Sequence, residues 1–248
     1  MASVRNHYDT VLAEHYSRMF GDFEAKVAEQ RALLERLGVT VEPDAATAVD
    51  LGCGSGFQSV ALARLGFRVL AIDFSQRLLA ELRERAHSLP VEAIAGDIRD
   101  VARLVPTAVG LVVCMGDTLS HLESEADLER VFDGVAARIA VGGRLVLTFR
   151  DLSTELVDLD RVIPLHASDG LVMTCFLEYE PRTVKVHDLI WARHHDGWHF
   201  YKGVYRKLRL APHAVATRLE RAGFAVQRHP APAGMVALVG TRTGAVRS

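Results

Sequence analysis

Three observations predict an α/β fold with a parallel sheet, an N-terminal helical cap and an antiparallel β insertion. Between residues 47 and 149, short apolar segments alternate with amphipathic helical ones. Strand-like runs then follow one another between residues 172 and 210 with no helix between them. A helix and a final strand pair return after Pro212. Short buried strands spaced by helices form βαβ units, whose helices cover a parallel sheet on both faces. The chain has 248 residues, 49% hydrophobic and 24% charged, enough for one large domain or two small ones. That balance excludes disordered, collagen-like and rod-like chains.

Residues 4–20 and 22–37 read as helices. In the second, Phe23, Val27, Leu33, Leu34 and Leu37 recur at helical spacing, and Gly38 suits its C-terminal end. Pro43-Asp44 breaks the chain before a strand at Thr47–Leu51. A helix at Gln58–Leu65, a strand at Arg68–Ile72, a helix at Gln76–His87 and a strand at Val91–Ala95 follow. A strand at Val109–Met115, a helix at Ala126–Ile139, the Gly142-Gly143 turn and a strand at Arg144–Phe149 complete this half. Beyond Arg150, Val172–Tyr179, Val184–His194 and Trp198–Leu210 read as three strands, with Asp196-Gly197 as a hairpin signal. A helix at Pro212–Ala222 precedes a strand pair from about Phe224 to Val239. We read one domain in four parts: a helical cap (1–42), a core (43–150), an antiparallel insertion (151–210) and a segment that completes the first sheet (211–248).

Lys+Arg is 29 and Asp+Glu is 31, a formal net charge of -2, which argues against a nucleic-acid partner. No run approaches the roughly 18 apolar residues of a membrane span, and Met1–Thr10 carries no apolar signal region, so a cytoplasmic location is expected. Cys53, Cys114 and Cys175 are scattered and odd in number, as expected of reduced buried thiols.

The most informative stretch is Asp50-Leu51-Gly52-Cys53-Gly54-Ser55-Gly56, which leaves a strand and opens a helix. There, backbone N–H groups and the helix dipole face a ligand, and glycines let the backbone approach it. Asp73 ends the next strand, where a carboxylate can take both hydroxyls of a ribose. A dinucleotide loop wants a glycine at position 57, which is Phe57 here. An acidic residue followed by G-x-G-x-G instead resembles the first motif of the class I S-adenosylmethionine-dependent methyltransferases. Gly96-Asp97-Ile98, the Leu111–Gly116 segment and Gly142-Gly143-Arg144-Leu145-Val146-Leu147 match that family's later strand ends.

The resemblance implies a Rossmann-like seven-stranded sheet and S-adenosyl-L-methionine as cofactor, with S-adenosyl-L-homocysteine as product. It implies a cofactor site at Asp50, Gly52, Cys53, Gly54, Gly56, Asp73, Phe74, Asp97, Ile98 and Met115, with Asp97 near the adenine amino group. Tyr8 and Tyr16 resemble aromatic positions of the family's lids, Tyr16 over the cofactor and Tyr8 toward the substrate; an amphipathic helix simply burying tyrosines is the alternative. A finer resemblance links Met115-Gly116-Asp117-Thr118-Leu119-Ser120-His121-Leu122, Thr148-Phe149-Arg150-Asp151 and Leu208–His213 to the glycine N-methyltransferases. In that group the arginine after the fifth strand holds the substrate carboxylate, which implies that role for Arg150. Asp117 replaces the group's asparagine, and Leu210 and Ala211 replace its paired tyrosines, so glycine itself is not the implied substrate. Asp117 suits a cationic amine or a proton from the nucleophile, and His121 is the first choice of base, weighed against a structural histidine.

The expected reaction is methyl transfer to an amine or hydroxyl of a small molecule, and the resemblance at Arg150 extends this to carboxylate-bearing acceptors. A nucleic-acid methyltransferase and a non-catalytic cofactor-binding protein are the alternatives. An antiparallel layer with open edges is compatible with a homodimer. His194 and His199 flank a turn, but two imidazoles fall short of a zinc ligand set, so no metal site is expected. Trp191 and Trp198 read as core or interface residues.

Overall fold

The computed structural model describes residues 16–41 and 46–244. Of the first predicted helix, the described part is the helical turn α1 (Tyr16–Met19); the rest of it, Tyr8 included, lies outside the described residues. Helix α2 (Phe23–Arg36) starts where the Asp22 carboxylate accepts the Ala25 N–H, 2.8 Å away, and ends ahead of Gly38, which has φ +73°.

Two sheets carry the rest of the chain. The first holds β1 (Thr47–Leu51), β2 (Arg68–Asp73), β3 (Val91–Ala95), β4 (Val109–Cys114), β5 (Ile139–Arg150), β10 (Phe224–Pro230) and β11 (Met235–Arg242). They lie side by side in the order β10-β11-β5-β4-β1-β2-β3. Pairing is parallel from β3 through β5, and β11 runs antiparallel to both its neighbours. Helices α3 (Phe57–Arg64), α4 (Gln76–Arg85), α5 (Val101–Leu104), α6 (Glu125–Ala136) and α7 (Pro212–Arg221) cover its faces. Alternating strand residues feed two cores. Ala48, Val69, Ala71 and Val113 pack with α2, α3 and α4, and Val49, Leu70, Val112 and Leu147 pack with α5, α6 and α7. Strands buried on both faces read as near-continuous apolar runs, which is why these were legible.

The second sheet is antiparallel, in the order β6-β7-β8-β9: β6 (Val162–Ser168), β7 (Leu171–Tyr179), β8 (Thr183–His194) and β9 (Gly197–Leu208). The insertion therefore has four strands, where the sequence predicts three. Its extra strand β6 carries Pro164 and shifts register between Pro164 and His166; proline is tolerated on such an edge and hides the strand signal. The hairpin lies where expected, but its turn residues are His195 and Asp196, since Gly197 already pairs with His194. In the first sheet, α6 stops at Ala136, and β5 begins at Ile139 with an irregularity around Gly142 (φ +81°). What reads as a turn before the fifth strand is a bulge within it.

The insertion closes at its own base. The Arg209 guanidinium donates to the Leu152 and Ser153 carbonyls at 3.2 and 2.8 Å, to the Glu180 carbonyl at 3.0 Å and to Glu155 at 2.8 Å. The point where the chain leaves the first sheet is thus tied to the point where it returns.

Candidate active site

The loop between β1 and α3 owes its glycines to two different demands. Gly52 (φ +72°) and Gly56 (φ +98°) lie in the left-handed region. A Cβ on Gly52 would lie 2.2 Å from Thr118 Cγ2, and one on Gly56 2.2 Å from Leu82 Cδ1. Packing and backbone conformation therefore require these two. Gly54 is also left-handed (φ +53°), and its N–H donates to Asp73 Oδ2 at 2.9 Å. Phe57, where a dinucleotide loop would have glycine, packs against Phe20 and Phe23 at centroid distances of 5.2 and 5.0 Å. The residue that broke the dinucleotide pattern anchors the N-terminal segment to the loop helix.

Asp73 ends β2 buried, its second oxygen accepting the Ser75 N–H at 2.8 Å. A carboxylate has about four acceptor positions, so two backbone donors orient it while leaving capacity for a ribose diol. Asp50 lies under the loop rather than in it. Ser59 Oγ donates to Asp50 Oδ2 at 2.6 Å, and burial pushes the carboxyl up to about 7. Cys53 is buried, and burial together with the Asp50 and Asp73 carboxylates holds its thiol protonated. Asp97, expected beside an adenine, takes the Arg99 guanidinium at 2.9 and 2.7 Å and the Arg99 N–H at 2.9 Å. An adenine amino group would share that carboxylate with Arg99. Phe74 is half-buried, and Ile98 and Met115 are buried. Tyr16 is in α1.

The second cluster forms where β4 and β5 end side by side. Gly116 N–H donates to Thr148 Oγ1 at 2.9 Å, Asp117 N–H to the Thr148 carbonyl at 3.1 Å, and Arg150 N–H to Asp117 Oδ1 at 3.1 Å. Asp117 has φ +75°, uncommon for a residue with a side chain, and Ser120 Oγ donates to its Oδ1 at 3.0 Å. Lys207 of β9 donates to its Oδ2 at 2.5 Å. Burial alone would raise the Asp117 carboxyl; the Lys207 ammonium, His121 and the bonds from Lys207 and Arg150 outweigh it and hold the group below the usual carboxylate range. Asp117 is therefore poorly suited to the base role expected of it: its oxygens are engaged and its proton affinity is low.

His121 closes the short 3-10 turn Thr118–His121, and its ring stacks on Tyr205 of β9 at 5.4 Å and 14°. Arg150 Nη1 donates to the Ala233 carbonyl at 2.9 Å. Tyr205 and Lys207 are the participants sequence reasoning missed. They stand two apart on one strand, so they share the face that β9 turns to the first sheet. Asp188 of β8 is on that same face, directly across from Gly203 and Cys175.

The remaining expectations place as follows. The rings of His194 and His199 lie 4.6 Å apart at the hairpin end, with Tyr201 and Asp196 as their respective partners. Among the described residues no group of three or more His, Cys, Asp or Glu side chains is arranged to hold a metal. Trp191 and Trp198 are exposed. Among the described residues no helix is long and apolar enough to cross a membrane.

Residues 48–143 match the family model described as a methyltransferase domain. The cypemycin N-terminal methyltransferase of a Streptomyces species is 32% identical over 108 residues, 44% of this chain and 43% of that protein. Human glycine N-methyltransferase is 25% identical over 158 residues, 58% of this chain and 53% of that protein. The matched stretches thus span about half the length of these curated relatives. Among solved structures, the S-adenosylmethionine-bound amino pentose methyltransferase CalS10 of Micromonospora echinaspora superposes with a TM-score of 0.74 at 20% identity, over 93% of this chain and 96% of that one. Residues 48–143 are thus similar to a methyltransferase domain, and the chain shares the fold of the solved S-adenosylmethionine-dependent methyltransferase CalS10.

Proposed function

We propose that the protein transfers a methyl group from S-adenosylmethionine to an amine or hydroxyl of a small molecule. One observation carries this reading: an oriented ribose-type carboxylate and glycine loop lie on the same sheet end as a polar cluster roofed by a second sheet. Gly52, Cys53, Gly54 and Gly56 form the loop, with Asp50 beneath it. Asp73 takes the ribose, and Phe74, Asp97, Ile98 and Met115 surround the adenine and the reacting end. Tyr16 and Tyr8 belong to the lid on this reading.

When bound, S-adenosylmethionine supplies an electrophilic methyl on a sulfonium that departs as the thioether of S-adenosylhomocysteine. The chain's own work is positioning, which accounts for most of the acceleration in such a displacement. His121, held flat against Tyr205, takes the proton from an acceptor that arrives protonated. Asp117 and Lys207 neutralise each other and fix the loop that carries His121. Arg150 remains the candidate for a carboxylate on the acceptor, with its Nη1 shared by Ala233. The near-neutral net charge and the roofed site favour a small acceptor over a nucleic acid.

Calorimetry with S-adenosylmethionine and S-adenosylhomocysteine tests the cofactor, and a mass-spectrometric screen of amines, amino acids and phenols for the gain of one methylene tests the transfer. Binding of both with conversion of at least one acceptor is expected. Absence of heat with either ligand overturns the reading; binding without conversion of any acceptor leaves the non-catalytic binding protein instead.

A further inference from the structure

The two faces of the roof sheet differ in character. The inner face, with Cys175, Leu177, Val184, Val186 and Tyr205, is buried. The outer face exposes Val162, Phe176, Trp191, Trp198 and Phe200, each between 37% and 49%. The register puts these five on one side. Val162 lies across from Phe176, Phe176 across from His187, and Trp191, four residues on, across from Phe200; Trp198 is two residues before Phe200. The Trp191 and Phe200 rings are 4.6 Å apart. Seven of the eight large apolar side chains exposed among the described residues belong to the insertion, with Val141 as the eighth. Single exposed apolar residues are ordinary, whereas a contiguous set rimmed by charge marks a contact surface.

The charges on that face select the occupant. Away from the rings, Lys185 pairs with Glu178 and Arg206 with Glu180, both at 2.6 Å. Beside the rings, Arg193 and Lys202 stand exposed on the same face, placed to lie over aromatic rings brought against them. Two cations are too few for a lipid surface, whose electrostatic recognition takes about 4–8, and fewer still than a nucleic-acid track needs. They suit a second copy of the face, which offers rings to the other's cations. The area agrees. Strands of 7, 9, 12 and 12 residues, at about 3.3 Å per residue and 4.8 Å between strands, give a footprint of about 600 Å². A specific dimer needs about 600–1,000 Å² on each copy.

We infer that the outer face of the roof is the interface of a homodimer, in which two copies pack sheet on sheet about a two-fold axis. Trp191 and Phe200 form its centre, and Arg193 and Lys202 of each copy lie over the rings of the other. The contact is on the side of the roof away from the first sheet, so each candidate active site stays within one copy.

Trp191 and Trp198 are the chain's two tryptophans, so intrinsic fluorescence reports on this face alone. The test is analytical ultracentrifugation of the full chain from low to high micromolar concentration, with acrylamide quenching of the same samples. Wild type is expected to sediment as a dimer with shielded tryptophans. Phe200→Lys adds a cation where two copies bring Arg193 and Lys202 together; it should weaken dimerisation at least about 30-fold, the loss of one aromatic anchor, and open the tryptophans to the quencher. Phe176→Lys, further out on the same face, is the second variant should Phe200→Lys fail to fold. Val141→Lys, at the exposed apolar residue on the first sheet, should leave the dimer intact. A monomer at high micromolar concentration overturns the proposal, as does a dimer that a folded face variant leaves intact. A dimer whose tryptophans are as open to acrylamide as those of a monomeric variant also overturns it, and points to pairing along the open edge of β9 instead. A monomer whose tryptophan emission shifts with phosphatidylserine vesicles assigns the face to a membrane, and the proposal falls there too.

Discussion

The Lys207–Asp117 pair is a buried ion pair between the roof and the first sheet, and its removal gives a sharp test. Nζ and Oδ2 are 2.5 Å apart, and the side chains are only 14% and 7% exposed. Replacing Lys207 by Met leaves a buried carboxylate with a hydroxyl and a backbone N–H but no ammonium, at a cost of about 3–5 kcal/mol. Asp117→Asn leaves the ammonium unpaired and costs a similar amount. Combining the two removes both charges, so the double variant should recover at least about 2 kcal/mol relative to the sum of the singles. Urea unfolding at pH 7 measures all four proteins. The acid limb adds a signed check. A carboxyl held below its unfolded value gives stability that is present above about pH 4 and lost as pH falls through the lower folded value. That acid sensitivity should shrink in Lys207→Met. Single substitutions costing under about 1 kcal/mol, or a strictly additive double variant, would refute the reasoning that this pair bears on stability as a buried ion pair.

Three further outcomes follow from the same geometry. Asp50, fully buried and pushed up to about 7, binds a proton more readily when folded; its stabilisation is full below about pH 4 and lost as pH rises toward 7. Asp50→Asn should flatten that dependence by up to about 4 kcal/mol, read from urea midpoints between pH 4 and 8; parallel curves for both proteins would count against it. Gly56→Ala combines a left-handed φ with a Cβ 2.2 Å from Leu82 Cδ1, so it should cost about 2–4 kcal/mol, and Leu82→Ala in the same chain should fail to restore the φ component. If acceptors carry a carboxylate, Arg150→Ala should raise their KM about 10- to 100-fold with little change in kcat, while acceptors without one keep their KM; unchanged KM for both removes Arg150 from the binding site.

The centre of the first sheet was legible because β1, β2 and β4 are buried on both faces and the helices around the sheet have clear caps, as at Asp22, Ser75 and Ser124. The candidate cofactor loop stood out in the sequence because one loop and the next strand's end concentrate it within 24 residues, Asp50 to Asp73. The candidate acceptor side stood out less. Tyr205 and Lys207 are more than 60 residues from Asp117 and His121 in sequence, and alternation reveals which residues share a face without revealing what that face meets. Spacing alone did not reveal that Gly52 and Gly56 also answer to packing, against Thr118 and Leu82. Strand β6 escaped because Pro164 and a register shift disguise its periodicity.

The Arg209 clamp has a consequence for how such a protein can change. It fastens the exit of the insertion to its return through carbonyls of Leu152, Ser153 and Glu180, so the roof is attached as a closed cassette on a finished sheet. The floor is joined strand to strand by Thr148, Asp117 and Arg150, and the roof meets it through Lys207, Tyr205 and Leu208. A laboratory recombination that exchanges residues 152–209 as one block between proteins of this fold, keeping an arginine, a lysine and a tyrosine at positions 209, 207 and 205, tests whether ligand preference travels with the roof while the first sheet stays unchanged.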